Sequence, residues 1–223
     1  DEDNVDPNRN MVASFEDLPD NPDYEALHDA LCPMTWTEDL KNRDDDLLQY
    51  VEKHGESALV QNVLKGQHSH QDGLFFGGTA ESWTVSNLTQ IVRDHGQGAV
   101  QLGIIDLHTG VGPYGFGEVM RMDKPPIAGS EWEKIGNLVC DVLDRVEVQI
   151  PPIKIIMEYG TYPFDRVLNN LRADNWLRHH GSIHTPQGRG IKNDLQNALF
   201  SDDPEWLADI SRQGVDVCHQ ALN

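Results

Sequence analysis

The 223-residue chain carries 37 acidic and 17 basic side chains, a formal charge of −20, and 38% of its residues are hydrophobic. That supply of apolar residues suits one sizeable core rather than disorder, while the acidic excess argues against nucleic acid or an anionic membrane surface as partner, since both reward Lys and Arg. No run of 18 apolar residues offers a membrane span. The scattered Cys32, Cys140 and Cys218 make neither a C-x-x-C pair nor a dense disulfide framework, so free thiols and a cytoplasmic home are expected.

Taken in order, the polar opening DEDNVDPNRN leads into a segment where Pro19 and Pro22 delay any helix until about Asp23. Tyr24, Leu27, Ala30 and Leu31 then recur at helical spacing, and further helices are expected over about 44–53 and 56–64. The segment KGQHSHQDGLFFGG, with glycines around an aromatic pair, reads as a loop bordering an active site. Ser86 is placed to cap a helix ending near Gly96, and AVQLGIIDLH follows as a buried strand, with Val100, Leu102, Ile104 and Ile105 too apolar for a sheet edge. After a glycine-rich loop, residues from Ser130 onward suit a helix, and Ile153 to Glu158 form a second buried strand entered through two prolines. The chain turns helical again from Asp165 and stays mainly helical to its end. Helices alternating with short buried strands specify an α/β class, and residues 1–223 read as one domain with an acidic surface.

The chemistry concentrates at strand ends. His108 stands where IIDLH gives way to glycines, the place where open α/β sheets gather ligands, and it suits either a metal or substrate contact or a structural role. Asp106, two residues earlier on the same side of the strand, either orients that imidazole or caps a turn. Glu158 ends the run IKIIME, where a carboxylate can act as general base or pair with an arginine. Asn8, Arg9 and Asn10 form a polar trio suited to a substrate carboxylate or to a solvated terminus. His68 and His70 invite a metal reading, with loop structure as the default, and His179 and His180 fit a helix C-terminus.

The ordered set NVDPNRN, GLFFGG, DLHTGVGPYG, MEYGT and LRADNWL resembles the zinc-carboxypeptidase superfamily, specifically a bacterial zinc-carboxypeptidase-like branch known as a domain of unknown function. The resemblance covers almost the whole chain and implies a mixed, mostly parallel sheet flanked by helices. It also implies zinc as cofactor, with His108 as the later zinc ligand, Glu158 as the catalytic glutamate, and Asn8 and Arg9 as the pair that recognises a substrate carboxylate and polarises the scissile carbonyl. Tyr114 is a phenolic donor by the same resemblance. The superfamily's H-x-x-E pair has no counterpart before Asn8, so the remaining His and Glu ligands are expected upstream of Asp1, on a segment of the same protein or a separate N-terminal fragment.

The expected activity is therefore zinc-dependent hydrolysis of a peptide or N-acyl amino acid bearing a carboxylate. An aspartoacylase-like deacylase and a catalytically silent binding protein are the alternatives, and the oligomeric state is left open.

Overall fold

The structure, a computed structural model, describes residues 3–37, 40, 44–122, 138–147 and 149–221. Its helices are α1 (Pro7–Asn10), α2 (Pro22–Leu31), α3 (Asp45–His54), α4 (Glu56–Lys65), α5 (Trp83–Gly96), α6 (Phe164–His180), α7 (Pro186–Leu199) and α8 (Pro204–Ala221). A 3-10 turn spans Val139–Arg145, and three strands, β1 (Gly103–Tyr114), β2 (Gly117–Arg121) and β3 (Ile153–Gly160), complete the α/β architecture among the described residues. The helix expected from Ser130 onward lies, up to residue 137, outside the described residues.

Local chemistry starts the helices. Asp6, Asn21, Asp44, Ser82 and Thr185 each accept a backbone N–H of the first turn, and Pro7, Pro22 and Pro186 occupy first-turn positions where the missing N–H costs nothing. Ser82 rather than Ser86 caps α5, so that helix begins at Trp83 and Ser86 is its second-turn residue.

The sheet is mixed, ordered β1-β3-β2, with β1 parallel to β3 and β2 antiparallel to it. Two of the three described strands thus run parallel, and Gly115 and its neighbours let the chain turn from β1 into β2 as a returning strand on the far side of β3. β3 is central and almost wholly buried. β1 is an edge, contrary to its apolar reading: Leu107 is 58% exposed, and Val100 precedes the strand and is also exposed.

Side chains alternate across a strand, so the two faces of β3 have different neighbours. Ile155, Met157 and Tyr159 pack on Trp206 and Val217 of α8. Ile156 packs with Met120, Leu138 and Cys140 on the other face, where Lys154 is also anchored by Asp141 and Asp144 of the 3-10 turn. A separate cluster joins Tyr24, Leu27, Leu47, Leu59 and Val63 of α2, α3 and α4 to Leu168 of α6. Cys32, Cys140 and Cys218 are free thiols, and no described helix is long and apolar enough to cross a membrane.

β1 continues past His108 through Gly110 and Gly112, both at positive φ, and its pairing shifts between Gly110 and Tyr114. The backbone there presses on Gly160: a methyl group at that position would fall on the Gly112 and Pro113 carbonyls, far inside the 3.0 Å that real Cβ atoms respect. Gly160→Ala is therefore expected to cost about 3 kcal/mol or more, since the clash is with backbone that cannot swing aside. A urea midpoint within error of the unsubstituted chain would show that the strands do not approach this closely.

Candidate functional site

Asp106 and His108 are two residues apart on β1 and share the face opposite α8. The parallel register sets His108 directly beside Glu158 of β3. The two side chains meet with His108 Nδ1 3.6 Å from Glu158 Oε2, while His108 Nε2 lies 2.9 Å from Asp106 Oδ2. Among the described residues Asp106 Oδ2 is buried and has no hydrogen-bond partner besides this contact. Glu158 Oε1 accepts the Val111 N–H at 3.1 Å, donated from the glycine-flanked end of β1, so the carboxylate is held by backbone and imidazole rather than by an arginine.

Burial dominates the electrostatics. It pushes the Glu158 carboxyl up to about 7, against the opposing pull of His108 and the Val111 N–H. Burial disfavours the His108 charge, but the Asp106 and Glu158 carboxylates outweigh it and leave the imidazole above its usual range.

Arg9 reaches the same place from α1. His108, Glu158 and Arg9 line one cavity of about 240 Å³ whose other walls are mostly apolar, among them Phe75, Met120, Ile156 and Leu171. Two contacts aim the guanidinium: Asp6 Oδ2 accepts from it at 3.0 Å, and the Leu64 carbonyl accepts from Nε at 3.1 Å and from a terminal nitrogen. Those bonds use three of five N–H groups and leave two for a ligand.

The other sequence-derived candidates lie elsewhere. The Asn8 side-chain oxygen accepts the Val139 N–H at 2.8 Å, and the residue is not among the cavity walls. Asn10 is fully buried and bonds Gly77, Ala80 and Ser82, which fixes the loop leading to α5. The Tyr114 hydroxyl is 2.6 Å from Ser201 Oγ and 3.3 Å from Asp203, outside the cavity. His68 Nδ1 contacts the Gly78 carbonyl at 2.7 Å and holds its own loop together.

Two contributors escaped the sequence reading. Phe75 sits at φ 50, an unusual conformation for an aromatic residue, with its ring 4.8 Å from the Arg9 guanidinium carbon. Backbone strain of this kind gathers at functional sites, and the glycine-bracketed GLFFGG was the available signal. Asp6 was overlooked as Arg9's anchor, although its i,i+3 spacing to Arg9 across a Pro-started turn marks it.

Imidazole and carboxylate are the donors zinc prefers among nitrogen and oxygen ligands. Two carboxylates around one imidazole make a negatively charged setting that suits a cation. His108, through Nδ1, is the residue placed to hold such an ion, with Asp106 behind the ring.

Fold and site together define an α/β protein with a histidine–carboxylate pair lining a small, largely apolar cavity. The chain belongs to the family described as Protein of unknown function (DUF2817), matched over residues 1–135 and 126–213. Comparison with curated proteins and with solved structures gave no match.

Proposed function

We propose that the protein is a zinc-dependent amide hydrolase of carboxypeptidase-like type, with His108 as one zinc ligand and Glu158 as general base. The observation that carries the reading is the pairing of His108 with Glu158 in the β1–β3 register, with Arg9 in the same cavity. Zinc at His108 would supply a Lewis acid that acidifies a water and polarises a carbonyl. The reading requires a further His and Glu, proposed to come from an H-x-x-E segment outside residues 1–223.

Glu158 takes the proton of the attacking water and passes it to the departing amine, a task suited to a carboxyl near 7. The Val111 N–H fixes one of its oxygens while the other faces the imidazole. Asp106 orients the His108 ring by its contact at Nε2. Arg9 offers its two remaining N–H groups to the oxygen that gains charge, or to a substrate carboxylate. Asn8 accepts from Val139 through its side-chain oxygen and keeps its amide N–H groups for a substrate carboxylate, while Tyr114, beside Ser201, remains a proposed phenolic donor.

A deacylase acting on N-acyl amino acids is the second reading, favoured by the cavity: about 240 Å³ is below the roughly 300–1,000 Å³ usual for ligand pockets. It suits a small apolar acyl group better than a peptide. Free thiols accord with a cytoplasmic site of action.

The test is zinc retention and hydrolysis by the protein carrying any upstream segment, assayed on C-terminal dipeptides and N-acyl amino acids. His108→Ala is expected to weaken the zinc held in the cavity at least 10-fold, because one protein ligand of three is removed there. Unchanged retention in that variant would remove His108 from the metal site.

A further inference from the structure

The loop of residues 66–78 carries two histidines that point different ways. His68 ties the loop to itself through Gly78, whereas His70 turns onto α2. There it stacks on His28, with ring centroids 3.6 Å apart and an interplanar angle of 13°. Asp72 of the loop places Oδ1 4.0 Å from His28 Nε2. Glu25, one turn before His28 on α2, holds His70 Nε2 at 2.9 Å through Oε2 and accepts the Ser69 hydroxyl on its other oxygen.

Donor atoms from His28, His70 and Asp72 therefore all lie within 4.8 Å of one another. His28 Nδ1 is buried and makes no hydrogen bond. Asp72 also lines a surface recess with Arg178 and His179 of α6.

We propose that His28, His70 and Asp72 form a zinc site that fastens the 66–78 loop to α2. Two imidazoles with carboxylate oxygens select zinc over calcium or magnesium, which take oxygen ligands. A tetrahedral ion with bonds of about 2.0–2.2 Å sets its ligand atoms roughly 3.3–3.6 Å apart, so the donors must close by about an ångström and the stacked rings must splay. Asp72, exposed at 59% of its side chain, is free to follow. The loop also carries Phe75 against Arg9, so an ion here stiffens one wall of the cavity without entering it. The site stands independently of the hydrolase reading, because it shares no residue with His108 and Glu158.

The experiment is a competition titration of the purified chain with zinc and a chromophoric chelator at pH 7.5, repeated for His70→Ala, Asp72→Asn and His108→Ala. Thermal unfolding is followed with and without zinc, and far-UV circular dichroism checks that each variant is folded. One zinc is expected to bind more tightly than about 10 μM and to raise the unfolding temperature. His70→Ala and Asp72→Asn should each weaken this zinc at least 10-fold and abolish the rise, while His108→Ala leaves both intact. If Asp72→Asn fails to fold, Asp72→Ser takes its place. The proposal is overturned if the chain takes up no zinc at that level, if His70→Ala binds as the parent does, or if only His108→Ala loses the ion.

Discussion

Glu158→Gln is expected to abolish amide hydrolysis, lowering kcat by about 10²–10⁴-fold, the contribution typical of a positioned general base. The amide keeps the shape of the carboxylate and can still accept the Val111 N–H, so neither the β1–β3 register nor the cavity should change. The same variant should be more stable than the parent once metal is stripped by a chelator. Glu158 is only 7% exposed, and among the described residues its carboxylate has a single hydrogen bond and no cationic partner other than His108. Replacing a buried, poorly satisfied charge by a neutral amide should recover about 1–3 kcal/mol. Loss of turnover with gain of stability is the pattern of a residue kept for chemistry. A Glu158→Gln protein that hydrolyses amides at the parental rate would end its role as base, and one that is several kcal/mol less stable would mark it as a structural residue.

The largest expected loss of stability lies elsewhere, at Asp44. Arg172 of α6 is fully buried, and its guanidinium donates to the Asp44 carboxylate, to the Ala30 carbonyl at 2.9 Å through Nε, and to Asn169 at 2.8 Å. Burial lowers the Arg172 pKa, and Asp44 works against that shift by favouring the charge. Asp44 is also the N-cap of α3, accepting the Asp46 and Leu47 N–H groups at 3.1 Å. Asp44→Ala therefore strands a buried cation and uncaps a helix, at about 3–5 kcal/mol for the first and about 1 kcal/mol for the second. For a chain of this size the loss amounts to roughly 10–20 °C in Tm. Asp44→Asn should retain much of the cap and lose most of the charge pairing, so its midpoint in urea should fall between those of Asp44→Ala and the parent. If Asp44→Ala unfolds within 1 kcal/mol of the parent, α6 is not tied to α3 through this pair.

The sequence revealed those features that depend on local pattern. Apolar periodicity placed α2, α3, α4 and α6 within about a residue or two. Asp106 and His108 were known to share a face because strand side chains alternate with period two. Hydrophobicity could not tell a central strand from an edge, so Ile104 and Ile105 suggested burial for a strand that β3 covers on one side only. The β1–β3 register joins residues 50 apart, and no local pattern specifies it, although the family resemblance anticipated that His108 and Glu158 belong together. Arg9 reaches them because Asp6 and the Leu64 carbonyl fix its side chain, and the contact with Leu64 spans 55 residues. Asn8 and Arg9 look equivalent in NRN, yet consecutive helical positions face about 100° apart, and only Arg9 lines the cavity. His28 had no signal in the sequence, since its stacking partner arrives from a loop some 40 residues later.

The most direct test is anomalous scattering at the zinc edge from crystals of the full encoded protein grown with zinc. A peak within bonding distance of His108 Nδ1, beside Glu158, is the expected result. Zinc absent from His108 in a folded, zinc-loaded protein would contradict the account.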